Sequence, residues 1–309
     1  MVEQGADINK ENRDGETPLF NACELEDNDI IEILIENGAD INKENRDGET
    51  PLLIAIINEN KDLVEYLVEN GADINKEDKS GETPLLIAIS SGNKELIEYL
   101  VENGADINKE NKNGETPLLI AIRIENIELL EYLVENGVDI NKENKNGETP
   151  LLIAIRNENI ELLEYLVENG ADINKEDRNG ETPLFIAVEL EEKDFVEFLV
   201  EHGADLNREN KFGETLLLIA ISDENKKLLE YLVENGADIN KENRNGETPF
   251  LKAISSGNKE LLEYLVKNGA DINKENRDGE TPLLIAIELG AKDFAEFLVE
   301  NGADINKKK

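Results

Sequence analysis

A segment that opens Gly81-Glu82-Thr83-Pro84-Leu85 returns at Gly15, Gly48, Gly81, Gly114, Gly147, Gly180, Gly213, Gly246 and Gly279, each start 33 residues after the last. A fixed period of this size, kept without insertion, describes a stacked array in which each unit buries its apolar face against its neighbours. The repeats run 15–47, 48–80, 81–113, 114–146, 147–179, 180–212, 213–245, 246–278 and 279–309, and residues 1–14 form the end of a preceding one. A compact chain of 309 residues usually splits into two domains or so. An array escapes that rule, and the spacing predicts one elongated domain over 1–309.

Within one unit the residues predict two helices. Thr83 is a good N-cap, and Pro84 brings a φ suited to the first helical position. Leu85, Leu86, Ala88 and Ile89 then make a short helix too apolar for a surface one, broken at Ser91-Gly92. Asn93 caps the second helix, with Glu95 in the first turn where the helix dipole favours negative charge. Leu96, Ile97, Tyr99, Leu100 and Val101 fill most of its circumference, and Asn103-Gly104 ends it in a left-handed turn. The Asp- and Asn-rich run from Ala105 to Asn113 reads as a turn or hairpin-like finger, because those side chains bond their own backbone.

The G-x-T-P-L start, the alanine at Ala88, the E-L/I-x-x-x-L second helix and the N-G-A-D-I-N exit resemble the ankyrin repeat along essentially the whole chain. The resemblance implies an all-α solenoid of paired antiparallel helices with finger loops, a curved elongated array whose concave groove and finger tips bind other proteins. One departure is systematic. The family usually has His after T-P-L, where this chain has Leu53, Leu86 and Leu119 or, at Phe20 and Phe185, phenylalanine. The family's side-chain hydrogen bond between neighbouring loops is therefore missing, and apolar packing is expected to take its place.

Charge restricts the partners. Lys+Arg 32 against Asp+Glu 71 gives a formal net charge of −39, which repels nucleic acid and anionic lipid, favours basic protein partners and keeps an array soluble and monomeric. Cys23 is the only cysteine, so no disulfide forms within the chain, which suits a reducing, cytoplasmic setting. No apolar run approaches the roughly 20 residues that cross a bilayer, and no signal peptide stands before the first repeat.

The residues that could carry chemistry are few. Cys23 and His202 are the only candidates for a nucleophile–base pair, and five repeat spacings at about 10 Å each would hold them roughly 50 Å apart. Asp106-Ile107-Asn108-Lys109-Glu110 has the start of a calcium loop, yet Asn111 stands where that loop needs glycine and Thr116 where it needs glutamate. No enzyme, cofactor or metal site is expected. Two ladders remain: glutamates such as Glu49, Glu82 and Glu115 beside each helix start, and basic residues such as Arg46, Lys79 and Lys112 three places earlier. They read as finger-to-finger ion pairs, each worth at most about 1 kcal/mol when exposed.

The remaining deviation is local. Arg123 and Arg156 end first helices where other repeats hold Ile57, Ser90 or Glu189, while Ile127 and Ile160 replace the Lys of Lys61 and Lys94. Ile124 adds a further apolar side chain beside Arg123, and Asn157 holds its place beside Arg156. Phe212 is the one aromatic at a finger tip, where others hold Asp, Asn or Ser. By the family resemblance the helix junction edges the groove. Arg123, Ile124, Ile127, Arg156, Asn157, Ile160 and Phe212 are thus the candidate contact residues for a protein partner. The expected function is a non-catalytic interaction scaffold; the alternative is a stiff acidic spacer within a larger protein, without a dedicated ligand.

Overall fold

The computed structural model describes residues 7–305, so the end of a preceding repeat expected at 1–14 falls outside the described residues up to residue 6. Two compact units emerge, Met1–Ile153 with Glu168–Ala171 and Ala154–Val167 with Asp172–Lys309. Helices fall in pairs: α1 Pro18–Glu24 and α2 Asn28–Glu36, α3 Pro51–Ile57 and α4 Lys61–Glu69, α5 Pro84–Ser91 and α6 Lys94–Glu102, α7 Pro117–Arg123 and α8 Ile127–Glu135. The pairs continue with α9 Pro150–Arg156 and α10 Ile160–Glu168, α11 Pro183–Glu189 and α12 Lys193–Glu201, α13 Leu216–Ser222 and α14 Lys226–Glu234. The last are α15 Pro249–Ser256 and α16 Lys259–Lys267, then α17 Pro282–Glu288 and α18 Lys292–Glu300. No strand occurs among the described residues, and the fold class is all-α.

Side-chain caps set the helix starts, with α12 and α18 as exceptions. Thr83 Oγ1 accepts from Leu86 N at 3.2 Å, and Asn93 Oδ1 from Leu96 N at 3.2 Å, each satisfying an N–H that the helix itself leaves open. Helix α13 starts in the same way on Thr215 although Leu216 replaces the proline, so the cap rather than Pro fixes the start. At the far end Asn103 Nδ2 donates to Tyr99 O at 2.8 Å. His202 takes over that part in its repeat, its Nδ1 2.8 Å from Phe198 O and its ring stacked on Phe198.

Within each unit, packing runs from a first helix to its partner and to a neighbouring first helix. In one unit α1 packs on α2 and α3, α3 on α4 and α5, and α5 on α6 and α7; in the other α13 packs on α14 and α15, and α15 on α16 and α17. Leu53, Ala55, Ile56 and Leu67 are fully buried, and Leu86, Ala88, Ile89 and Leu100 repeat the arrangement one unit on. Cys23 stands buried at the place of Ile56 and Ile89. Leu53 and Leu86, where the family's histidine is usual, belong to this core.

Candidate functional site

A finger is held by its own Asn or Asp side chain and, at several repeats, by the backbone of the finger before it. Asn111 N donates to Glu115 O at 3.1 Å and Gly114 N to Asn111 O at 2.9 Å, a tight turn with hairpin-like closure and no strand pairing. Lys112 N then donates to Ser80 O at 2.9 Å, joining successive fingers through backbone. The joint needs close approach: a Cβ on Gly81, whose φ is +80°, would lie 2.7 Å from Lys112 N.

Contrary to expectation, at the described rungs the two charge ladders find partners other than each other. Lys79 Nζ donates to Arg46 O, and Lys112 Nζ to Lys79 O, so this ladder rests on backbone carbonyls of the preceding finger. The glutamates are bound by asparagine instead: Glu49 Oε2 accepts from Asn45 Nδ2, and Glu82 Oε1 from Asn111 Nδ2, both at 2.7 Å. A carboxylate so close to the first helix would be left short of solvent, and the amide supplies its donor. Burial holds the Glu82 carboxyl above its usual range, with Asp78 and Glu115 adding to the shift and the Asn111 bond and Arg123 opposing it. Finger-to-finger ion pairs do form from other residues, Lys76 with Glu44 at 2.6 Å and Lys109 with Glu77 at 3.1 Å.

A second expectation is also corrected: polar bonds as well as apolar packing join neighbouring loops. Asn42 Oδ1 accepts from Asp73 N at 2.7 Å while its Nδ2 donates to Gly71 O at 3.1 Å, and Asn75 does the same with Asp106 N and Gly104 O. The exit asparagine of each D-I-N thus replaces the missing histidine bond from a different place in the unit. Its return every 33 residues was the available signal, since an amide kept at one register offers one donor and one acceptor to the next unit. A further ladder straps the second helices, Lys61 to Glu95 at 3.2 Å, Lys94 to Glu128, and Lys226 to Glu260 at 3.4 Å.

The candidate contact residues fall into separate groups. In the first unit Arg123 ends α7 and reaches Glu115 Oε1 at 3.4 Å, Ile124 caps that helix 38% exposed, and Ile127 opens α8 50% exposed. In the second unit Arg156 Nη2 lies 3.5 Å from Oδ2 of the buried Asp177, Asn157 is exposed and Ile160 is half-buried. Phe212, in the finger between α12 and α13, is 67% exposed with Lys211 Nζ 5.0 Å from its ring centre. Asn210 Oδ1 accepts from Phe212 N at 3.0 Å and fixes the backbone that presents the ring.

Helix pairs closed by a left-handed turn and linked by asparagine-pinned fingers define a helical repeat protein. The family described as Ankyrin repeats (3 copies) matches residues 1–78, 43–111, 75–144, 124–210, 174–243 and 217–309, and the chain belongs to it. No curated protein matches in a sequence comparison. Ankyrin architecture supports a general role as a protein–protein interaction scaffold. The family is consistent with a non-catalytic protein, and among the described residues no group of three or more His, Cys, Asp or Glu is placed to hold a metal ion. No helix among the described residues is long and apolar enough to cross a membrane.

Proposed function

We propose that the chain is a scaffold that captures a partner protein of basic surface through its finger tips and helix junctions, as a monomer in the cytoplasm. The observation that carries this reading is Phe212, a ring held in solvent by a pinned finger in a chain of net charge −39. Aromatic and arginine side chains are the usual anchors of binding surfaces, and the acidic field accelerates encounter with a basic partner. Arg123, Ile124 and Ile127 on one unit, and Arg156, Asn157 and Ile160 on the other, are the further contacts.

A spacer role is favoured by a different observation, the engagement of finger lysines and glutamates by the fingers themselves. The two readings part in one experiment. The immobilised chain and a variant carrying Arg123→Ser, Arg156→Ser and Phe212→Asn are exposed to lysate at low and at high salt. The scaffold reading expects a basic protein retained at low salt, released at high salt and weakened by the variant. A retained protein that the variant binds within about 0.5 kcal/mol of the parent moves the site elsewhere. An acidic protein held equally at high salt defeats the electrostatic part, and no specific capture supports the spacer.

A further inference from the structure

The second helices of successive repeats leave a recurrent cleft between them. Between α6 and α8 it has a volume of about 330 Å³ and is floored by Ile97 and Leu129 beside Tyr132. Lys94 reaches across its mouth to Glu128, one rung of the strap ladder. The equivalent cleft between α12 and α14 has a volume of about 380 Å³ and is lined by Val188, Val196, Leu228, Tyr231, Lys193 and Lys227. There the strap is absent. Lys227 stands where other repeats hold an acid, as at Glu95, Glu128, Glu161 and Glu260, so Lys193 faces a like charge. Lys193 turns to Glu197 in its own helix, at 2.8 Å, and Lys227 makes no ion pair among the described residues.

The floor differs as well. Val188 replaces the isoleucine of Ile221 and Ile254, and Val196 the larger Ile97 or Leu262; no other interior repeat has both shorter residues together. Leu228 is half-buried beside them, whereas its counterparts Leu96 and Leu261 are fully buried. A widened apolar floor and an unstrapped cation thus coincide at one junction of a chain that is otherwise strongly acidic.

We infer that the cleft between α12 and α14 binds a small amphipathic monoanion, a carboxylate on a short apolar body. Independently of the scaffold reading, the cavity lies at the small end of ligand sites, which run from about 300 to 1,000 Å³, and so takes one alkyl chain or ring. Hydrocarbon replaces water over Val188, Val196 and Leu228, and Lys227 Nζ donates a charge-assisted hydrogen bond to the carboxylate. Glu197 is paired with Lys193, and Glu191 on the same lining offsets further positive charge, so a second negative charge on the ligand is disfavoured.

Octanoate titrated into the full chain, followed by methyl NMR, tests this. Saturable shifts are expected at Val188, Val196 and Leu228 and none at Ile97 or Leu129, with octylammonium leaving all of them unmoved. Lys227→Glu, at an exposed position, should weaken octanoate by about ten-fold or more. Val188→Ile, which restores the residue of the neighbouring repeats, should weaken it by refilling the floor. Unchanged methyl spectra away from the cleft report that both variants fold. No saturable shift, equal binding of octylammonium, or an affinity that Lys227→Glu leaves unchanged would overturn the assignment.

Discussion

Six glutamates, Glu26, Glu59, Glu125, Glu158, Glu191 and Glu224, turn the chain between paired helices with φ between 52° and 58°. At the same place other repeats use Gly92, Gly257 and Gly290. An L-residue there is crowded against its carbonyl by about 1–2 kcal/mol, partly offset by glycine's larger entropy in the unfolded chain. Glu125→Gly is therefore expected to stabilise by about 0.5–1 kcal/mol, and Gly92→Glu to destabilise by a similar amount, both read from denaturant midpoints. Gly81 is different, because space as well as φ is at issue. Its substitution by Ala drives a Cβ into the backbone of the next finger and should cost on the order of 2–3 kcal/mol. Burial pushes the Cys23 thiol up to about 12, so alkylation at neutral pH should occur only when the first repeat opens.

At the scale of the helix pair, the second helix is anchored by fully buried leucines, among them Leu133 in α8 and Leu163 and Leu166 in α10. Leu133→Asp places a charge where no partner waits, and neighbour-to-neighbour coupling then lets part of the stack melt early. Calorimetry should resolve more than one transition; a single transition near the parent temperature would contradict the packing. The helices were legible from Thr-Pro starts, Asn caps and Gly stops, because those signals act within a few residues. The pairing of the charge ladders was not. Opposite charges at one register suggested each other, whereas Asn111 was nearer to Glu82 and the carbonyl of Lys79 nearer to Lys112. Arg123 and Ile127 were legible as deviations, but Lys227, whose sign reversal is equally visible, gains meaning only beside Val188 and Leu228 in space.

The whole molecule carries excess negative charge, and its pH response follows. Burial raises the Glu82 and Glu189 carboxyls above their usual range, so the folded chain binds those protons more tightly than the unfolded one. Their contribution is fully present below the unfolded carboxylate value of about 4.3 and is lost as pH rises through the folded values. Glu11 and Glu128 shift the other way through hydrogen bonds with Lys43 and Lys94, but both are fully exposed and salt-screened. Melting in low salt is expected to be higher near pH 5 than at pH 7, with the gap closing as salt is added. A pH 7 melting point that falls with added salt would count against this.

The exit asparagines also bear on how length can change. Asn42 accepts from Asp73 N through its oxygen and donates an amide proton to Gly71 O, and Asn75 does the same with Asp106 N and Gly104 O. Every unit therefore presents the plug on one side and the socket on the other. Excising residues 81–113 brings Asn75 against the Asp139 and Gly137 of what was the following unit, and no amide is orphaned. Removing 30 residues instead of 33 would mismatch every such coupling at the seam. Length can therefore change by whole repeats with the asparagine coupling kept, whereas a deletion of any other size breaks it at the seam.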